Sequence, residues 1–255
     1  METSLSRRMA MLGCAAAVTG LALGRGTAVA AVPGQSPSRV RVMPLGDSIT
    51  DGFKYYPGGY RVELRRRLVA DGHALDFVGS LANGPVELGD RDHEGHIGWR
   101  IDQLDAEIDS WLQQSDPRTI MLLIGTNDLN QNHDTADAPA RLSALIDHIR
   151  AVKPQCELFV ATLPPQSNAV LESRVRAYNA EIPHVVAQKG PHTHLVRIYD
   201  ALTINDLADG IHPTEEGFRK MAAVWHGALR AVPRSLAPIP GISAIPHAIT
   251  TKEAG

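Results

Sequence analysis

From residue 40 onward, short runs of apolar residues alternate with longer amphipathic segments. The short runs predict strands, and the run Thr119–Ile124 is apolar on both faces, as a central parallel strand requires. The amphipathic segments repeat apolar residues every three or four positions, which is the period of a helix. The predicted strands are Val40–Met43, Asp76–Val78, Thr119–Ile124, Leu158–Thr162 and His194–Ile198.

Helical periods occupy the segments between and after these strands, beginning near Tyr60, Ile101, Leu142, Val170 and Phe218. Proline lacks an N–H group and clashes with the preceding helical turn. We therefore expect Pro44 to end the first strand and Pro183 to kink or split the helix predicted over 170–188. Strand and helix alternating five times predict an α/β fold, a three-layer α/β/α sandwich around a five-stranded parallel sheet.

The two ends of the chain depart from this pattern. Paired arginines, Arg7 and Arg8, precede the apolar stretch Met9–Gly24, and a small-residue cleavage site follows at Ala30. Residues 1–30 therefore predict a twin-arginine export signal, cleaved near Ala30. The stretch is shorter than the roughly 20 residues of a spanning helix, so we expect a secreted protein without stable membrane association. Residues 31–38 are predicted to be a flexible leader, 39–232 the folded domain and 233–255 a Pro-rich extended or disordered tail.

Composition narrows the classes of function. The 255 residues, 44% hydrophobic and 21% charged, suit one soluble domain that buries a core without disulfides or structural metals. Lys+Arg 25 against Asp+Glu 28 gives a net charge of -3, so no nucleic-acid partner is expected. Without residues 1–30 the remaining cysteine is Cys156, which predicts a buried free thiol. We expect a monomer.

Polar residues follow several predicted strands, at the sheet edge where ligands of such folds bind. Ser48 stands two residues after a glycine and fits a nucleophile or a plain turn residue equally well. Asn127 ends the central apolar run and fits either a site amide or a helix cap. Asp209 and His212 are three residues apart, which lets a carboxylate orient an imidazole base. Together these loops supply a nucleophile, a base, an orienting acid and an oxyanion donor.

The same loops resemble the four sequence blocks of the SGNH (GDSL-type) hydrolase superfamily, over roughly residues 40–230. The blocks are Gly46-Asp47-Ser48-Ile49-Thr50, Gly98, Gly125-Thr126-Asn127-Asp128 and Asp209-Gly210-Ile211-His212-Pro213. The resemblance implies a flavodoxin-like fold, with Ser48 as nucleophile, His212 as general base and Asp209 as its orienting residue. It also implies an oxyanion hole made by the Ser48 and Gly98 N–H groups and the Asn127 side chain, and it implies no cofactor.

Two more segments resemble the secreted esterases of carbohydrate esterase family three, which remove acetyl groups from xylan. They are Gly58-Gly59-Tyr60-Arg61 and His93-Glu94-Gly95-His96-Ile97-Gly98-Trp99. This resemblance implies a secreted serine esterase that hydrolyses small acyl esters on a small molecule or a polysaccharide such as acetylated xylan. Asp47, Tyr60 and Trp99 are candidate substrate-binding residues.

Three alternatives stay open. The same architecture serves lipid and aryl esters, so a GDSL-type lipase or arylesterase is one. Aromatic residues near the proposed site, Tyr55, Tyr56, Tyr60 and Trp99, also fit a non-catalytic carbohydrate-binding protein. The polar cluster over residues 90–96 suggests a metal-dependent hydrolase, but a single residue separates Glu94 from His96 where the helical zinc motif requires two, so we expect no metal.

Overall fold

Seven strands and seven α-helices make up residues 39–237, the part of the chain that the structure, a computed structural model, describes. The strands are β1 (Val40–Gly46), β2 (Leu75–Phe77), β3 (Leu81–Ala82), β4 (Asp92–Gly95), β5 (Thr119–Leu123), β6 (Glu157–Ala161) and β7 (Thr193–Val196). The α-helices are α1 (Ser48–Asp51), α2 (Gly59–Ala70), α3 (Ile101–Ser115), α4 (Thr126–Asn130), α5 (Ala138–Val152), α6 (Ala169–Ala187) and α7 (Glu215–Ala231).

The sheet is parallel apart from β3, which pairs antiparallel with β4. β1 pairs with β5 on one side, and β6 and β7 follow beyond β5. On its other side β1 pairs with β2 near its start and with β4 at its end. Helices α2 and α7 pack together, and α5 packs against both α3 and α6, which gives two helical layers around the sheet. The predicted α/β class is confirmed, with the five predicted strands parallel and the short strands β3 and β4 added.

The prediction that Pro44 ends the first strand is wrong, because β1 continues to Gly46. The Val42 carbonyl accepts a hydrogen bond from Val78 N–H, on the side of β1 that faces β2. Alternate residues of a strand direct their backbone groups to the same side, so Pro44 faces that side too. Pairing with β2 ends at Val42 and pairing with β4 begins at Leu45, so Pro44 falls in the gap between them. Its missing N–H therefore removes no hydrogen bond from the sheet.

Pro183 does not split its helix either. Helix α6 runs without interruption over Ala169–Ala187 with Pro183 inside it. Proline removes one intrahelical hydrogen bond, but packing on both sides of it can hold a helix together. The side chains that bury α6 against the core lie before and after the proline, at Val175, Tyr178, Ile182 and Val186.

The folded domain extends beyond residue 232, where we expected the tail to begin. Pro233–Leu236 form a short 3₁₀ helix in which Ser235 is completely buried. The Thr119 hydroxyl donates to the Ser235 carbonyl at 2.7 Å, and the Ser235 hydroxyl donates to the Leu229 carbonyl at 3.0 Å. The predicted boundary was wrong because these contacts are tertiary and leave no periodic pattern in the sequence.

The export signal, the leader and residues 238–255 of the predicted tail lie outside the described residues. Within residues 39–237, no helix has both the length and the apolar character needed to cross a bilayer. Cys156 is buried and free, as predicted, and burial raises the pKa of its thiol to about 11.

Candidate active site

Ser48 is the first residue of α1, and Asp47 alone separates it from the carboxyl end of β1. The Asp47 side chain accepts a hydrogen bond from Ile49 N–H at 2.9 Å and so caps this short helix. The turn requires glycine at position 46, because a Cβ atom there would lie 2.2 Å from the Leu123 carbonyl oxygen. Strand, glycine and cap together hold the Ser48 hydroxyl at the sheet edge.

Ser48, His212 and Asp209 form one hydrogen-bonded chain. Ser48 Oγ lies 2.9 Å from His212 Nε2, and His212 Nδ1 lies 2.9 Å from Asp209 Oδ2. The other oxygen of Asp209 accepts from the backbone N–H groups of Ile211 and His212, at 3.1 and 2.8 Å. Partial burial acts to raise the pKa of Asp209, but these hydrogen bonds outweigh it and keep the pKa below its ordinary value. Asp209 is therefore held as a carboxylate against the imidazole.

The loop that carries His212 is fixed from several sides. Ala208 N–H donates to the His212 carbonyl at 2.8 Å, and Ser167 N–H donates to the Gly210 carbonyl at 2.9 Å. The ring of Phe53 packs against the imidazole with 5.4 Å between ring centroids. Sequence reasoning missed Phe53 and Ser167, because contacts between separate loops leave no local pattern.

The predicted oxyanion donors lie on two neighbouring loops. His96 N–H donates to the Gly46 carbonyl at 2.9 Å, which ties the segment leading to Gly98 to the end of β1. Gly98 has φ +80°, a conformation that favours glycine. Its N–H and that of Ser48 donate to no acceptor within residues 39–237. Both groups are therefore available to a ligand oxygen.

Asn127 is not the cap of its own helix. Helix α4 has Gly125 at its N-cap without a side-chain hydrogen bond, whereas Asn127 Nδ2 donates to the Trp99 carbonyl at 2.8 Å. That bond uses one amide hydrogen and fixes the side chain beside Gly98. Its neighbour Asp128 is the residue that caps a helix, by accepting from Ile101 N–H at the start of α3 at 3.0 Å.

Two of the three candidate substrate-binding residues are buried. Asp47 and Tyr60 have no exposed surface. Tyr60 packs against Trp225 in the core, with 5.9 Å between ring centroids. Burial raises the pKa of Asp47 to about 6, while the hydrogen bond from Ile49 acts in the opposite direction. Trp99 is partly exposed, so it remains a candidate.

Sequence reasoning also missed the role of Arg61, which is completely buried. Its guanidinium donates to the carbonyls of Thr50 and Asp51, both at 3.2 Å, and to that of Arg91 at 2.9 Å. It thus binds the end of α1 to the segment between β3 and β4. The only sign of Arg61 in the sequence was its place beside Tyr60 in the segment Gly58-Gly59-Tyr60-Arg61, and that place does not indicate whether the side chain is buried.

Side chains of the polar cluster over residues 90–96 make polar contacts with other groups of the protein. Glu94 accepts from Ser80 N–H at 2.7 Å and lies 2.6 Å from His96 Nε2, and His93 Nδ1 accepts from Gly95 N–H at 3.0 Å. Within residues 39–237, no three or more His, Cys, Asp or Glu side chains are grouped as metal ligands.

A serine, a histidine and an aspartate joined by hydrogen bonds at the carboxyl end of a parallel sheet, beside free N–H donors, have the arrangement of a serine hydrolase site. Residues 45–220 match the GDSL-like Lipase/Acylhydrolase family. The chain belongs to that family, which confirms the resemblance found in the sequence blocks.

The relatives agree with the second resemblance as well. The chain is similar to a family 3 carbohydrate esterase structure from Clostridium thermocellum, with 38% identity and a TM-score of 0.72 over 79% of this chain and 100% of that one. It is 30% identical to a multidomain esterase of Ruminococcus flavefaciens over 73% of this chain and 28% of that protein. It is 26% identical to an acetylxylan esterase of Xylanibacter ruminicola over 78% of this chain and 45% of that protein. The chain thus spans less than half the length of these last two relatives.

Proposed function

We propose that this chain is a secreted serine esterase that hydrolyses acetyl esters on carbohydrate, such as those of acetylated xylan. The observation that carries the proposal is the hydrogen-bonded chain of Ser48, His212 and Asp209 beside the free N–H groups of Ser48 and Gly98. The acetyl and carbohydrate parts rest on the similarity to a family 3 carbohydrate esterase and an acetylxylan esterase. Export rests on the arginine pair and apolar stretch of residues 1–30.

In the proposed reaction, His212 Nε2 accepts the proton of Ser48 Oγ as this oxygen attacks the ester carbonyl carbon. The charge that develops on the carbonyl oxygen is held by the N–H groups of Ser48 and Gly98 and by the Asn127 amide. The alcohol leaves with the proton from His212, and an acyl group stays on Ser48. Water then repeats the sequence and releases the acid, with His212 again accepting and returning the proton.

Asp209 fixes which nitrogen of His212 is free. Its carboxylate faces Nδ1, so the ring proton stays on that nitrogen and the lone pair of Nε2 faces Ser48. The backbone bonds to the other oxygen hold Asp209 in place even where this side chain is changed to an amide. We therefore expect Asp209→Asn to fold normally and to lose on the order of 10⁴ in kcat, because the amide favours the wrong imidazole tautomer. Turnover at the wild-type rate would leave Asp209 as a turn residue only.

The test of the proposed function is labelling by a serine-directed phosphonate, together with two assays: hydrolysis of methyl acetate and acetate release from acetylated xylan. We expect label on Ser48 by mass spectrometry and loss of both activities in Ser48→Ala. Label on another residue would contradict the assignment of the nucleophile. Rates that rise with acyl chain length would instead favour the lipase alternative.

A further inference from the structure

A pocket of about 270 Å³ is lined by residues next in sequence to the predicted oxyanion donor Gly98. Ile97 and Trp99, the residues on either side of Gly98, line it. Asp51, which ends the helix that Ser48 begins, also lines the pocket. The pocket is therefore linked along the chain to both predicted backbone donors, through Asp51 to Ser48 and through Ile97 and Trp99 to Gly98.

One wall of the pocket is aromatic and rigid. The ring of Trp99 is stacked on that of His96 with 4.3 Å between centroids, and His96 is stacked on Trp111 with 4.6 Å between centroids. The His96 ring is further held by Glu94 at 2.6 Å. A fixed aromatic surface of this kind suits the apolar face of a pyranose ring and loses little conformational entropy when it binds.

Two further lining residues, Asp51 and His93, offer a hydrogen-bond acceptor and a donor. Asp51 accepts from the Asn83 amide through Oδ2, and its Oδ1 has no hydrogen-bond partner within residues 39–237. His93 Nδ1 accepts from Gly95 N–H, so the ring proton of His93 is on Nε2. That nitrogen is buried, has no acceptor among the described residues and lies 3.7 Å from Asp51 Oδ2.

The acceptor on Asp51 and the donor on His93 can together bind a hydroxyl group. Burial lowers the pKa of His93 to about 3, so its ring is a neutral donor at any ordinary working pH. A hydroxyl group, which both accepts and donates, can bond to His93 and Asp51 at once. A hydrocarbon chain in the same place leaves both groups without a hydrogen-bond partner, which disfavours its binding. An acetyl group is much smaller than the pocket, so the acyl side of an acetyl ester does not account for it.

We propose that this pocket binds a sugar ring on the alcohol side of the ester, with a pyranose face on Trp99 and hydroxyls bonded to Asp51 and His93. The proposal rests on the proposed function, because the sugar must present its ester to Ser48. It assigns the preference for a carbohydrate alcohol to β3, β4 and the end of α1.

The experiment tests the proposal by placing a larger side chain at the edge of the pocket. Leu81 pairs directly with His93 across β3 and β4, so both side chains lie on the same face of the two strands, and Leu81 is 36% exposed. Leu81→Trp places a large ring there. The control is Val86→Trp, because Val86 is 81% exposed and does not line the pocket. Methyl acetate, whose alcohol is too small to reach the pocket, is compared with acetylated xylotriose, and unacetylated xylotriose is added as an inhibitor of methyl acetate hydrolysis.

We expect Leu81→Trp to lower kcat/KM for acetylated xylotriose by about 10-fold or more and to leave methyl acetate within about 2-fold of the wild type. Xylotriose should inhibit the wild type and Val86→Trp competitively but not Leu81→Trp.

Equal losses of kcat/KM on both substrates, or undiminished inhibition of Leu81→Trp by xylotriose, would contradict the proposal that this pocket binds a sugar ring. If Leu81→Trp does not fold, calorimetric titration of Ser48→Ala with xylotriose decides, and absence of binding overturns it. A wild type that cleaves methyl acetate but not acetylated xylotriose would contradict the proposed substrate, and xylotriose inhibition would still test the pocket.

Discussion

At the scale of single residues, two asparagines differ in what they bind. Asn127 donates to the Trp99 carbonyl, while Asn168 accepts from Val170 and Leu171 N–H at the start of α6. As an oxyanion donor, Asn127 acts most strongly on the charged transition state. We expect Asn127→Ala to lower kcat by about 10²–10³-fold with KM nearly unchanged. Asn168→Ala, the control, should cost about 0.5–2 kcal/mol of stability and leave kcat intact. An Asn127→Ala protein that melts early but turns over normally would contradict this.

The buried carboxyl group of Asp47 should make the stability of the protein depend on pH. Burial raises its pKa from 3.8 to about 6, so between these pH values the folded state binds more protons than the unfolded state. The stability contribution of this residue therefore falls as pH rises through that window. Asparagine does not titrate and can still accept from Ile49. We expect the free energy of unfolding of Asp47→Asn, relative to wild type, to rise by up to about 3 kcal/mol from pH 3 to pH 7.

Denaturant unfolding at several pH values measures that difference. The same substitution at Asp200, which is exposed, controls for the loss of one negative charge. A difference between Asp47→Asn and wild type that stays flat with pH would show that the Asp47 carboxyl does not titrate in this window.

The sequence indicated which residues are candidates for the site, but it did not indicate which of their side chains are buried. Ser48, Asp209 and His212 stand in turns after predicted strands, and the fold brings such turns to one edge. Asp47 and Tyr60 stand beside them and yet face the core, since a motif records which residues are near each other in sequence and not which way each side chain points. Arg61 was overlooked for the same reason.

At the scale of elements, periodicity found the long helices and the parallel strands. It missed β3 and β4, because Leu81–Ala82 is too short for a period and Asp92–Gly95 is polar. These strands form by pairing with each other and with the end of β1, which is a tertiary effect. Pro44 and Pro183 misled the prediction for tertiary reasons as well, since Pro44 lies in a gap between two strand pairings and α6 is held by packing before and after Pro183 despite the lost hydrogen bond.

Helix α6 carries a cost at Pro183 that substitution should relieve. Alanine restores a hydrogen bond to the Asn179 carbonyl, but it also adds freedom to the unfolded chain. We expect Pro183→Ala to stabilise the protein by about 1–2 kcal/mol in denaturant unfolding. Pro139→Ala is the control, because Pro139 lies in the first turn of α5, where the N–H has no intrahelical partner. Destabilisation by Pro183→Ala would mean that the helix is bent to fit its neighbours.

At the scale of the whole molecule, the proposed site lies at one end of the sheet and the C-terminal segment closes the other. Glu157, at the start of β6, is almost completely buried. Its carboxylate lies 3.1 Å from His192 Nδ1, 2.8 Å from His194 Nε2 and 3.3 Å from Arg234 Nε. Removing one partner from a buried carboxylate is costly, so the segment that carries Arg234 supports the fold from this end.

This arrangement predicts that stability and turnover separate at the C-terminus. A chain ending at residue 232 loses Arg234 beside Glu157 and the buried side chains of Ser235 and Leu236, whereas a chain ending at residue 237 keeps them. We expect the shorter chain to lose about 3 kcal/mol and to melt about 6–12 °C lower in scanning calorimetry. At a temperature where both are folded, kcat/KM for methyl acetate should be equal, because Ser48 and His212 lie at the opposite end of the sheet. Equal melting temperatures would show that residues 233–237 do not support the fold, and a selective loss of turnover would show that this segment acts on the site.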